Sequence, residues 1–217
     1  MESEKELQKR QNTALFINTT QEMLEDEGLE QLSIRKIADK AGFHNSTIYL
    51  YFKDLDELLM LASMKNFQNY SQSLEELSKK NSSPVDTFTS IWDLFCDSIF
   101  QKPDIYYNFF FGKRSDNLKV IMKKYYDIFP EERNTFTTVI ESMYFENNIV
   151  ERSLKILRPL IDEDTAVTED NLYMINDIVV SFCKFKLEQK CKDKSLDSDI
   201  LKNMIHNMID YVCEIKR

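Results

Sequence analysis

The sequence predicts an all-α protein in which an N-terminal three-helix unit containing a helix-turn-helix precedes a larger helical domain. Two observations lead there. Only three glycines and four prolines punctuate 217 residues, and between them apolar residues recur at three- and four-residue spacing, the period of a helix and not of a strand. The second is local: two short amphipathic segments meet at Gly42 behind a longer one, an order that packs as helix, turn, helix.

The first helix is expected from about Lys9 to Glu27, with residues 1–8 as a flexible arm. Phe16, Ile17, Thr20, Met23 and Leu24 fall on one stripe of it, and Gly28 can take the left-handed conformation that ends a helix. Ser33 is a good N-cap for a short helix, Ile34 to Ala41, whose Ile34, Ile37, Ala38 and Ala41 share a face. Gly42 ends it. A second short helix starts at His44 or Asn45 and buries Ile48, leaving Asn45, Ser46, Thr47 and Tyr49 outward. These are short or planar hydrogen-bonding groups, where a merely structural helix would expose Lys and Glu, so the pair reads as a nucleic-acid-binding element.

The remainder reads as helices between recognisable breaks. Asp54 to Ser78 is expected as one connecting helix, ended by Asn81-Ser82-Ser83-Pro84, where Pro84 can occupy a first turn. The next reaches about Gln101, followed by Asp104 to Phe111, Asp116 to Phe129, Glu131 to about Glu146 and another to about Leu160. An acidic loop, Asp162 to Asp170, precedes the last two, Asn171 to Lys190 and Leu196 to Lys216. The division expected is residues 1–53 for the helix-turn-helix domain and 54–217 for effector binding and dimerisation.

Charge and composition exclude other classes. The chain carries a net charge of −9, which repels phosphate at long range. Between Leu32 and Lys53, however, Arg35, Lys36, Lys40 and Lys53 face Asp39 alone, a local positive patch. Met1 to Asn12 is polar and charged, and no apolar run nears the roughly 18 residues that span a bilayer, so a cytoplasmic protein without a membrane partner is expected. Cys96, Cys183, Cys191 and Cys213 form no Cys-x-x-Cys pair, and only His44 and His206 could add imidazoles. No metal, no other cofactor and no catalytic constellation is therefore expected, and the chain does not read as an enzyme.

Ser33-Ile34-Arg35-Lys36-Ile37-Ala38, Ala41-Gly42-Phe43, Thr47-Ile48-Tyr49-Leu50-Tyr51-Phe52-Lys53 and Glu57-Leu58-Leu59 together resemble the N-terminal signature of the tetracycline-repressor (TetR) family over about Thr13 to Leu61. Three residues depart from it. His44 replaces the usual Ser or Thr cap, Leu50 replaces a polar residue, and Leu55 stands where a second lysine is frequent. The resemblance implies a homodimeric transcriptional regulator, a repressor by expectation, that places two recognition helices on an approximately palindromic operator in double-stranded DNA. Arg35 resembles the position that reaches a guanine edge, and Asn45 is the best reader of a base on the second helix. Thr47, Tyr49, Tyr51 and Lys53 would hold phosphates; Lys36, His44 and Ser46 complete the expected DNA-contacting set.

The effector region shows no comparable motif. Trp92, Phe95, Tyr106, Phe109, Phe110 and Tyr125 belong to an aromatic-rich centre that suits a small hydrophobic or aromatic ligand. An aromatic stripe at helical spacing is more often plain core, in which case control by a protein partner is the alternative. On the last helix Leu201, Met204, Met208, Tyr211 and Ile215 form one seam and Ile205, Ile209 and Val212 another. With Ile178 and Phe182 on the helix before, the outer seam is expected to dimerise as a four-helix interface.

Overall fold

The computed structural model describes residues 3–215, and among them there are eleven α-helices and no strand. The helices are α1 (Glu4–Asp26), α2 (Ile34–Ala41), α3 (Leu55–Ser63), α4 (Gln68–Ser78), α5 (Pro84–Ile99), α6 (Pro103–Phe111), α7 (Leu118–Ile128), α8 (Thr138–Tyr144), α9 (Ile149–Leu157), α10 (Leu172–Lys192) and α11 (Ser198–Cys213). They form two compact units. One takes the chain up to Gln68 together with Val120–Arg133; the other takes Asn69–Lys119 and the chain from Asn134 on. The first unit thus reaches beyond the 1–53 segment expected to act as a domain, and most of α7 belongs to it.

In the first unit α1 begins earlier than its apolar stripe suggested. The Ser3 hydroxyl accepts the Glu6 N–H at 3.3 Å while the Glu6 carboxylate accepts the Ser3 N–H at 2.9 Å, a reciprocal capping box. Residues 4–8 are accordingly helical and not the flexible arm expected for 1–8, of which residues 1–2 lie outside the described residues. Phe16, Ile17, Thr20, Met23 and Leu24 are buried as expected. Phe16 is the hub: its ring lies 4.9 Å from Phe43, 5.5 Å from Tyr51 and 6.1 Å from Phe52, aromatic contacts at favourable edge and tilted geometry.

The expected helix from Asp54 to Ser78 is split. Asp54 caps α3 by accepting the Glu57 N–H at 2.9 Å, and the backbone stays helical through Ser63 and Met64. The chain tightens to a 3₁₀ turn over Met64–Phe67 before α4. The helix expected over Glu131 to Glu146 is likewise cut down. Pro130–Glu132 makes a single 3₁₀ turn, and α8 starts only at Thr138, because Asn134-Thr135-Phe136-Thr137-Thr138 strings together residues that lose side-chain freedom in a helix.

In the second unit α10 packs against α6, α9 and α11, and α11 packs against α5. Leu201, Ile205 and Ile209 point inward from α11 and are buried, as are Ile175, Val179 and Cys183 of α10. The α11 helix ends at Cys213, short of the expected Lys216, which lies outside the described residues.

Candidate functional site

The helix-turn-helix is built by caps. Ser33 accepts the Lys36 N–H at 3.3 Å to start α2. Gly42 ends it with φ +78° and ψ +25°, the left-handed conformation that a residue with a Cβ adopts at a cost. The recognition helix, Asn45–Leu50, is a 3₁₀ helix. His44 proves to be its cap: Nδ1 lies 2.8 Å from the Ser46 hydroxyl and accepts the Ser46 N–H at 3.4 Å. The departure from Ser or Thr at this position therefore keeps the capping function, and Asn45 is left outward. Ile48 is fully buried, while Asn45 and Ser46 are exposed, and Tyr49 and Leu50 reach 60% and 71% exposure.

The expected contact residues divide into three groups. Arg35, His44, Asn45, Ser46, Tyr49 and Lys53 are exposed, and Thr47 is half-buried. Tyr51 is not outward: its ring packs on Phe16, and its hydroxyl accepts the Asn12 side-chain N–H at 2.9 Å, so it braces the three-helix core. The basic side chains are largely matched by carboxylates within the unit. Lys36 meets Glu27 at 3.4 Å and donates to the Gln31 carbonyl at 2.8 Å; Lys40 lies 3.9 Å from both Glu22 and Asp26; Arg35 lies 3.9 Å from Asp39. The positive patch read from the sequence is thus partly neutralised by the end of α1.

A contact that the sequence did not signal fixes the far end of the recognition helix. Lys124 of α7 donates to the Tyr51 carbonyl at 3.2 Å and to Glu57 Oε1 at 3.0 Å, while Glu57 Oε2 accepts the Lys53 N–H at 2.6 Å. Glu57 is buried, so its charge depends on these partners. Farther along α7, Tyr125 gives its hydroxyl to Glu132, which also pairs with Lys65. Tyr125, expected at the ligand, therefore belongs to the packing of the first unit.

In the second unit Tyr106, Phe109 and Phe110 are buried as solid core, with Phe95 and Phe110 at 4.9 Å and Phe109 and Phe110 at 5.2 Å. Trp92 and Phe95 instead line a small cavity, shared with Tyr70, Ile149, Arg152 and Ser153. Arg152 is 2% exposed, a burial that charged residues seldom show. Its guanidinium donates to the Tyr144 carbonyl and lies 5.6 Å from the Phe110 ring centre and 5.2 Å from that of Tyr144. It also hydrogen-bonds the buried Tyr70, whose phenol is pushed up by desolvation and partly drawn back by this cation.

The exposed apolar surface of α10 and α11 follows the expected outer seam in part. Tyr211 is 84% exposed, Met204 and Ile178 are exposed, and Met208 and Phe182 are half-buried. Leu201 is buried within its own unit, so it belongs with Ile205 and Ile209 and is replaced on the outer face by Ile200, with Tyr173, Met174 and Phe185 extending it on α10. No helix among the described residues is long and apolar enough to cross a membrane.

Residues 16–60 match the family of bacterial regulatory proteins, tetR family. An uncharacterized HTH-type transcriptional regulator of Haemophilus influenzae is 30% identical over 108 residues, covering 50% of this chain and 58% of that protein. The fatty acid metabolism regulator protein of Bacillus subtilis is 32% identical over 69 residues, 32% of this chain and 36% of that one. The chain thus spans less than two thirds of the length of either relative. In fold it is similar to Thermus thermophilus FadR, a TetR family transcriptional repressor crystallised in complex with lauroyl-CoA, with TM-score 0.61 at 10% identity over 94% of this chain and 96% of that one.

Proposed function

Given that the chain belongs, through residues 16–60, to the tetR family of bacterial regulatory proteins, we propose that it is a cytoplasmic repressor that binds a palindromic operator as a homodimer and is released by a small apolar ligand. The observation that carries this reading is the outward face of the recognition helix. Asn45, Ser46 and Tyr49 are exposed on a helix seated by Ile48 and capped by His44, beside the exposed Arg35 and Lys53. Arg35 reads a guanine through O6 and N7 and Asn45 a second base; Thr47, Tyr49 and Lys53 hold phosphates. Lys36 joins them by exchanging Glu27 for a phosphate oxygen.

Two copies joined through the outer face of α10 and α11 set the recognition helices about 34 Å apart, one turn of DNA. The ligand acts by favouring a dimer whose helices no longer match that spacing, a shift set by its differential affinity for the two states. The ligands of the fatty acid regulators it resembles support an acyl-chain effector.

Selection of bound duplexes from a random pool, followed by footprinting, tests the reading. Enrichment of an inverted repeat with half-sites a helical turn or a multiple apart is expected. Enrichment of a single asymmetric site, or none, would overturn it.

A further inference from the structure

Two buried donors in the second unit lack an acceptor, and they border the same space. Trp92 and Ser153 are each 2% exposed, and among the described residues neither the indole N–H nor the Ser153 hydroxyl has a hydrogen-bond partner. Burying a donor without an acceptor is costly, and phenylalanine and alanine would fill the same positions without that cost. Both line a cavity of about 20 Å³ together with Arg152. Donors from α5 and α9 therefore converge beside a buried positive charge, an arrangement that calls for an acceptor, and for an anionic one before a neutral one.

The cavity alone holds no more than a water-sized group. Ile156, however, is also a wall of a second, larger cavity of about 250 Å³ bounded by Leu77, Ile140 and Pro159. A rotamer change at Ile156 would join the two into a space near the roughly 300 Å³ at which ligand pockets begin. Its inner end has donors and a cation, and its outer part a mixed lining, with an apolar side at Leu77, Val139, Ile140 and Pro159 and a polar rim at Ser78, Lys80 and Thr137.

We propose that Trp92, Ser153 and Arg152 form a head-group subsite for a carboxylate borne on an apolar chain, the chain running past Ile156 into the outer cavity. The assignment rests on the reading of the second unit as a small-ligand domain. It fixes an orientation that an acyl-CoA cannot adopt, because the bulky coenzyme must stay outside while the carboxylate enters first.

Trp92 is the single tryptophan of the chain, so its emission reports on the subsite without any DNA. Full-length protein is titrated with octanoate and dodecanoate, and with octanol and dodecanol as neutral chains of equal length. A saturable emission change with the acids, at least tenfold tighter than with the alcohols, is expected. Ser153→Ala should weaken the acids three- to tenfold and leave the alcohols alone. Arg152→Gln, checked for folding by circular dichroism, should weaken the acids further.

Equal binding of acids and alcohols, unchanged acid binding in Ser153→Ala, or no response to either acid would overturn the subsite. Release of the operator by lauroyl-CoA but not by dodecanoate would also sink it, while leaving the regulatory reading intact. Failure to enrich any operator strikes that reading instead.

Discussion

Replacing Lys124 by Met removes the side chain that bonds both the Tyr51 carbonyl and Glu57. Glu57 then keeps only the Lys53 N–H among these partners, with its side chain 10% exposed. Breaking a fully buried pair costs about 3–5 kcal/mol. Here Lys124 is 33% exposed, so water replaces part of the lost interaction, and about 2 kcal/mol is expected. For a chain of this size that lowers the thermal midpoint by about 4–8 °C. Glu57→Gln is milder, about 1 kcal/mol, because the freed ammonium turns to solvent while the amide still accepts the Lys53 N–H. The double variant should be no worse than Lys124→Met, giving a coupling of about 1 kcal/mol. Operator affinity should fall about tenfold in Lys124→Met, since Tyr51 and Lys53 end the recognition helix. Circular dichroism melts and fluorescence anisotropy on operator DNA measure the two effects. Additive losses, or Glu57→Gln as damaging as Lys124→Met, would refute the argument that a buried carboxylate is being compensated.

Three further outcomes are expected. Arg35→Ala should cost about 1–3 kcal/mol on the preferred operator and blur one base preference, whereas Lys53→Ala should weaken all sequences and reduce the salt slope by about one unit; titrations at several salt concentrations on specific and random duplexes separate them. Introducing Met204→Glu with Tyr211→Glu should leave the chain monomeric at micromolar concentration in sedimentation velocity and abolish tight operator binding, and a persisting dimer would move the interface elsewhere. Burial pushes the Cys183 and Cys213 thiols up to about 12, so from about pH 9 the unfolded chain loses protons that the folded chain keeps. Stability therefore falls as pH rises from about 9 toward 12, by about 1 kcal/mol per pH unit for each thiol; urea midpoints at pH 8 and 10 measure this, and Cys183→Ala should reduce the slope.

The local grammar of the first unit was legible because its signals are short-range. Ser33, Gly42 and the spacing of Ile34, Ile37 and Ala38 act within one turn of the residues they organise. The bond between the Tyr51 hydroxyl and Asn12 was not legible because the partners lie 39 residues apart, and Lys124 and Glu57 are separated by 67. Arg152 was hidden for another reason: a charged residue beside Glu151 reads as a solvated face. Its place could have been found from Ile149, Arg152, Ser153 and Ile156, which recur at helical spacing along one stripe of α9, all buried. The 3₁₀ turn over Met64–Phe67 within the helix expected after Asp54 is a local tightening that apolar periodicity does not report.

The pairing of Lys36 and Lys40 with the carboxylates of α1 bears on how such a protein finds its target. On the proposed function, a phosphate that meets Lys36 or Lys40 competes with a resident carboxylate, so an arbitrary stretch of duplex gains less from the encounter. Only a site that also engages Arg35 and Asn45 returns enough to make the exchange worthwhile. Because a genome presents millions of competing sites, weak attachment to wrong sequences leaves more of the dimers free for the right one. On the proposed function, the acidic end of the first helix would hold down background binding.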